Sequence, residues 1–328
     1  MDINELKKRN HYVQKEYLRA WADNYGKVFQ LLKPSKIVNV GINNTLVSSF
    51  FYKFFPINEQ EKEFLLSFLP KNFTDNFFSK STITSIDDVL DVMNSLPERI
   101  KTCDNIYLYS IDLMIWIASV LDSIDMWPKN VKETDQYKSM IEFIETQTIE
   151  EYICGIEESG IPVIKKIISN QNLLSSDEYE ELIRYVALSY TRTKEIADSI
   201  LGQKYKPVRI ERIRPMLQYI IGIVLGQSLL NNKSDVSILN NKTSLRYITG
   251  GQPAVNLCFE KGQEVKDFQM YFPLCPYKAI KINMEGKGLV NNEDVTEDGH
   301  IMNLNDKISE NSNYLIGYDS SDLIRYTV

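Results

Sequence analysis

Residues 27–41, KVFQLLKPSKIVNVG, decide how the rest of the chain is read. KVFQLL (27–32) and KIVNVG (36–41) alternate polar and apolar side chains, so one face of each belongs on a core. Pro34-Ser35 between them and Gly41-Ile42-Asn43-Asn44 after them are turn formers, and the stretch predicts a β-hairpin. TLVSSFFYKFF continues as an extended segment. Comparable text returns near the other end of the chain. There SLRYIT (244–249), AVNLCF (254–259), MYFPLC (270–275), AIKIN (279–283) and YLIGYD (314–319) read as short strands separated by Gly, Pro, Asn and Asp.

Between these ends, from Asn58 to about Asn232, the sequence is helical in pattern. Ser85 followed by acids predicts a helix start, and residues 105–127 read as a central apolar helix. Residues 139–168 form one long helix, or two broken near Gly160-Ile161-Pro162. Ser175 and Glu178 have the spacing of a capping box. Pro207 and Pro215 bracket a basic turn ahead of an apolar helix at 216–230. A short first helix carries Tyr12, Tyr17, Leu18 and Trp21 and stops by Gly26. Strands at both ends around a helical middle predict an α+β fold, in which a mixed sheet from the N-terminal hairpin and the C-terminal strands packs on a mid-chain helical lobe. The expected organisation is one enlarged domain, with a sheet lobe at 1–57 plus 240–328 and a helical lobe at 58–239. The strands near 27–41 are expected in one sheet with strands from 244–283.

Composition narrows the function. Of 328 residues, 43% are hydrophobic and 25% charged, which is enough apolar surface for a sizeable core. The net charge of −7 argues against non-specific coating of nucleic acid, and leaves room for a local basic groove. Cys103, Cys154, Cys258 and Cys275 form no Cys-x-x-Cys pair and only two histidines are present, which argues against structural zinc and for reduced thiols. The opening residues lack a signal-type apolar core, and 216–230 is short of the roughly 20 residues a membrane span needs. A cytoplasmic protein without membrane contact is expected. No Walker motif, Gly-x-Gly-x-x-Gly, His-Glu-x-x-His or Gly-x-Ser-x-Gly is present, which argues against ATPase, dehydrogenase, zinc-protease and serine-hydrolase chemistry.

Five stretches, taken in order, carry a resemblance: HYVQKEYLRAWA, CGIEESG, YVALSYTRT, YITGGQPAVNL and YFPLCP. Together they resemble the bacterial family of unknown function DUF4238, from about residue 9 to the C-terminus. The family pattern opens on His-Tyr-Val-Pro, then Tyr-Leu-Arg and an aromatic. A mid-chain Glu and an Arg-Thr follow, then a Thr-x-Asp-x-Pro turn and Pro-Leu-x-Pro. The resemblance implies the same α+β arrangement and a bacterial setting of conflict with phage, without an assigned chemistry. Gln14 stands where the pattern has Pro. Gly251 stands where it has Asp, a carboxylate that would serve as metal ligand or general base.

The candidate catalytic residues are His11, Glu157 and Arg192. An imidazole titrates near neutral pH and suits general acid–base work or ligation; the alternative is a histidine hydrogen-bonded at a helix start. His300, beside Gly299, reads as a turn residue. Tyr185, Leu188 and Ile196 lie at helical spacing from Arg192, so its guanidinium is expected half-buried and in need of an anion. That anion is either Glu157, giving a structural ion pair, or a ligand phosphate. Tyr12, Arg19, Gly250, Gly251, Gln252, Lys204, Lys206 and Arg209 are the candidate substrate-binding residues. The two glycines of TGGQP can form an anion nest or merely turn the chain. Lys204, Lys206, Arg209, Arg212 and Arg214, with Lys7, Lys8 and Arg9, can form a basic rim or a solvated linker. Two functions follow. One is a defence or toxin-like effector acting on nucleic acid or a nucleotide, a candidate nuclease for which a divalent metal stays open. The other is a non-catalytic sensor that recognises a phage component or a partner chain, with Gly251 marking a degenerate site.

Overall fold

The computed structural model describes residues 8–71, 88, 91–92, 94–95, 98–99, 105–122, 129–203, 208–259 and 267–327. The helix start expected at Ser85 and the residues Lys7, Lys204, Tyr205 and Lys206 lie outside that set. The fold is α+β.

The chain divides into two compact units, each assembled from three stretches: Met1–Asn10, Ser49–Cys154 and Ser199–Val224 make one, and His11–Ser48, Gly155–Asp198 and Leu225–Val328 the other. In chain order the strands and helices that matter here begin with β1 (Arg9–His11), α1 (Lys15–Leu18), β2 (Lys27–Leu32), β3 (Lys36–Gly41) and β4 (Val47–Ser49). Helices α2 (Glu59–Leu66), α3 (Ile106–Asp122), α4 (Lys129–Lys132), α5 (Asp135–Ile168), α6 (Ser176–Thr191), α7 (Lys194–Leu201) and α8 (Ile210–Asn231) follow. The C-terminal part adds β5 (Val236–Asn241), β6 (Thr249–Gly250), β7 (Val255–Asn256), β8 (Gln269–Cys275), β9 (Lys278–Asn283), β10 (Val290–Val295), α9 (Asp298–Asn311) and β11 (Tyr314–Gly317).

The first unit is helical. Asn58 caps α2 and Glu61 returns the bond, a closed capping box. Tyr219 of α8 reaches Ser110 of α3 through its hydroxyl at 3.0 Å and stacks on Tyr152 of α5. Arg209 grips Glu61 with two bonds, 2.7 and 3.0 Å. Helix α8 is long and apolar enough in composition to cross a membrane, yet 61% of its most apolar window is buried within the protein.

The second unit holds both large sheets. The predicted hairpin is β2–β3, in register from Lys27 opposite Gly41 to Leu32 opposite Lys36. It lies in a four-stranded sheet of order β3-β2-β11-β6, so its direct neighbour is β11, and among the described residues of 244–283 only β6 joins it. The remaining C-terminal strands go to a separate five-stranded sheet, β10-β5-β9-β8-β7, in which β10 runs parallel to β5 and the other pairs are antiparallel. The hairpin therefore does share a sheet with C-terminal strands, as expected, while the other C-terminal strands form a second sheet of their own. Leu31 and Leu315 from one sheet, Leu239, Val255, Tyr271 and Ala279 from the other, and Ile301, Leu304 and Ile308 of α9 share one buried cluster.

Several local expectations change. Residues 244–249 form a strand only at their end. The Asn241 side chain turns the chain by accepting from Thr243 and donating to Leu245, and Asn305 takes the Ile248 N–H that a ladder would have used. His300 sits half-buried in the first turn of α9, not in a loop. Helix α5 runs unbroken through Pro162. Helix α8 starts at Ile210, so Arg212, Arg214 and Pro215 are helical and not part of a turn. The capping box at Ser175 and Glu178 is present in full.

Candidate functional site

Of the polar residues singled out in sequence, His11, Tyr12, Glu157, Arg192 and Gln252 meet within the second unit. Segment 11–21 is fixed first. Tyr12 donates its N–H to the Leu46 carbonyl at 3.1 Å. Tyr17 is fully buried, its hydroxyl 2.8 Å from Thr249 Oγ1 and 2.7 Å from the Pro273 carbonyl, and its ring stacks on Phe272 and meets Trp21. Aromatic burial of this kind stabilises by about 1.5–3 kcal/mol per large side chain and holds the preceding residues in place.

Arg192 follows the last turn of α6 and is 4% exposed. Its guanidinium donates to the Glu157 carboxylate of α5, to the His11 carbonyl at 2.9 Å and to the Tyr12 carbonyl at 3.4 Å. One cation thus joins two helices to the opening motif. The close approach of α5 and α6 depends on Gly160, the second glycine of CGIEESG. A Cβ there would stand 2.5 Å from Tyr185 Cβ. Tyr185 completes this link by donating to Gln14 Oε1 at 2.8 Å. Burial pushes the Tyr12, Tyr17 and Tyr185 phenols above their ordinary range, with the Glu195 carboxylate adding to the effect at Tyr12. They are neutral hydrogen-bonding groups and not phenolate nucleophiles.

The TGGQP turn closes the other side. Gln252 is buried. Its carbonyl oxygen accepts from Thr193 Oγ1, and its amide donates to the carbonyls of Tyr190 at 2.8 Å and Ala254 at 2.7 Å. The Gly251 N–H goes to the Tyr314 carbonyl at 2.9 Å and the Gln252 N–H to Ser312 Oγ at 3.0 Å. These N–H groups hold protein acceptors, so the turn binds β11 and its flank and is not an open anion nest. Both glycines lie in crowded surroundings. A Cβ at 250 would lie 2.5 Å from the Tyr314 carbonyl oxygen, and a Cβ at 251 would lie 2.1 Å from Glu195 Oε1.

Glu195 is the residue that sequence reading missed. It lies in the first turn of α7, three residues after Arg192, and its side chain covers Gly251. Its Oε1 accepts from the Asn313 N–H at 3.1 Å, while Oε2 is buried without a hydrogen-bond partner. Burial raises its pKa above the ordinary carboxylate value. A carboxyl group therefore stands beside Gly251, borne by α7. The only sequence signal was the short distance to the Arg-Thr pair.

The other candidates are placed differently. Arg19 is exposed and pairs with Glu16 at 2.6 Å. Arg209 belongs to the first unit, where it is bound to Glu61. In that unit Arg212 donates to the Pro56 carbonyl, and Arg214 donates to the Phe51 carbonyl at 2.6 Å. Among the described residues no three His, Cys, Asp or Glu side chains gather as metal ligands.

The crowding gives an ordered pair of outcomes. Gly250→Ala is expected to destabilise by about 1–3 kcal/mol, the usual cost of overpacking, because its obstacle is backbone. Gly251→Ala costs less, since its obstacle is the end of a flexible side chain. Placed in a Glu195→Ala background, Gly251→Ala becomes close to neutral. Urea unfolding of the four variants checks the order, and equal losses at 250 and 251 would contradict the placement of Glu195.

Fold and geometry define an α+β protein in which one buried arginine ties a histidine-bearing N-terminal segment to two helices, with a glycine-rich turn closed over a carboxylate beside it. The chain belongs to the family described as "Protein of unknown function (DUF4238)", whose model matches residues 9–322. No match was found among curated proteins or among solved structures.

Proposed function

We propose that the protein is a cytoplasmic, anti-phage effector acting on nucleic acid or a nucleotide, with His11 as its proton-transfer group. The observation that carries this reading is the meeting of four sequence-distant motifs, at His11-Tyr12, Glu157, Arg192-Thr193 and Gly251-Gln252, in one hydrogen-bonded network. The network holds the main chain at half-buried His11 through its carbonyl, and a fixed backbone is the first requirement for placing an imidazole for general acid–base catalysis. The defence setting comes from the family resemblance. Arg192 is the strut that positions His11 and not a phosphate clamp, because Glu157 and two carbonyls already hold it.

The second reading, a binding or sensor protein without catalysis, draws on that same feature: the cations and N–H groups best suited to phosphate have internal partners. One assay separates the two. The protein is incubated with RNA, DNA and the common nucleotides, with and without divalent cations, beside His11→Gln. The effector reading expects turnover of at least one substrate, lost by about 10²–10⁴-fold in His11→Gln with unchanged melting. No turnover under any condition would favour the binding reading, and turnover indifferent to His11 would remove His11 as the proton-transfer group.

A further inference from the structure

Glu195 raises a question that the function above does not answer. A carboxylate oxygen sealed from water without a donor is costly to keep ionised, and side chains of this kind are few in folded proteins. Its surroundings offer little compensation. On its own helix, Lys194 is exposed and paired with Asp198 at 3.2 Å, and Asp198 is itself a second negative charge. From the other packed elements come the Tyr12 phenol, which Tyr314 also faces, and Lys33, whose ammonium donates to the Ser309 carbonyl at the end of α9. Glu195 Oε1 accepts from the Asn313 N–H, just before β11. The other side of the carboxyl rests on Gly251, in the turn that closes the network.

We propose that Glu195 is a pH-sensitive latch on the candidate site: as a neutral acid it packs against Gly251 and holds the TGGQP turn closed, and on ionisation it turns out toward solvent and loosens that turn. The proposal rests on the site reading above and adds its regulation. The side chain is long enough to leave, because it springs from the first turn of an eight-residue helix beside exposed Lys194 and Asp198. Movement of its carboxyl removes the contact beneath Gly251 and the bond from Asn313. The Gly251 and Gln252 N–H bonds to Tyr314 and Ser312 then lose their backing. The direction agrees with the raised pKa. An acid whose folded pKa lies above its unfolded value contributes stability that is complete below the unfolded pKa and is lost as pH rises through the folded one.

Amide hydrogen exchange of the peptide over residues 247–254, corrected for intrinsic rate between pH 4 and 8, reads the latch directly. Wild type is expected to lose protection there, by about tenfold or more, as pH rises through and above the carboxylate range. Glu195→Gln, neutral at every pH, keeps a flat profile, and its melting temperature rises relative to wild type with increasing pH. Glu195→Ala loses the pH dependence as well, at lower protection. Parallel wild-type and Glu195→Gln profiles, in protection or in melting, overturn the latch. The exchange measurement needs no substrate, so a protein inactive on every nucleotide tested would sink the effector reading while the latch stood or fell on its own data.

Discussion

Arg192→Ala is expected to lose about 3–5 kcal/mol of stability, the largest effect of any single substitution in the site. The guanidinium is almost fully buried and the Glu157 side chain is 13% exposed, so water cannot replace what is removed. Three acceptors lose their donor at once: the Glu157 carboxylate and the carbonyls of His11 and Tyr12. Leaving a buried charge without its partner costs far more than the intact pair contributes, because desolvation of the survivor is no longer offset. Arg192→Lys should recover only part of the loss. An ammonium lacks the planar fork that reaches a carboxylate and two carbonyls in different directions. Urea unfolding of both variants checks this, and a change below about 1 kcal/mol in Arg192→Ala would show that the pair is loose.

Trp21→Ala ranks next, at about 3–5 kcal/mol, the range for emptying a large aromatic site in a core. Trp21 is fully buried and meets Tyr17, whose own hydroxyl anchors β6 and β8. The loss therefore reaches segment 11–21 and the strands beneath it. The indole N–H is buried with no acceptor, so Trp21→Phe, which removes that donor while keeping most of the ring, should cost distinctly less. Equal losses for the two variants would mean that the indole nitrogen has a partner. Neither substitution touches His11 directly. In the effector reading each lowers activity only as far as it unfolds the protein or lets segment 11–21 shift.

Much of this was legible in the chain. The hairpin at 27–41 announced itself because period-two alternation with Pro34-Ser35 between the runs has few other solutions. The Ser175–Glu178 box was equally local. The Arg192–Glu157 pair could be anticipated because an arginine flanked by Tyr185, Leu188 and Ile196 must find an anion, and Glu157 lay on the preceding helix. Strand partnership was not legible. Alternation says which face is buried and not which neighbour pairs, so nothing in YLIG fixed β11 beside β2 or set β8 and β9 in another sheet. Helix α9 was hidden by Gly299 and by Asn, Asp and His at its start, although Ile301, Leu304 and Ile308 carried a helical period. Strand β10, VNNEDV, is an exposed edge with almost no apolar signal. Glu195 had only its nearness to Arg192-Thr193 to mark it, because its role follows from a steric fact, the absence of a Cβ at 251.

The central claim is that Arg192 and Glu157 act as one unit that holds the opening motif to the helices. The measurement that tests it most directly is a double-mutant cycle on this pair, using Arg192→Met, Glu157→Met and both together, followed by urea unfolding. If the pair is a unit, each single variant loses about 3–5 kcal/mol and the double variant loses little more than either, so the coupling approaches the loss of one single variant, about 3 kcal/mol or more. Losses that simply add, within about 0.5 kcal/mol, would contradict the account, since they would mean that the two side chains stabilise the protein independently.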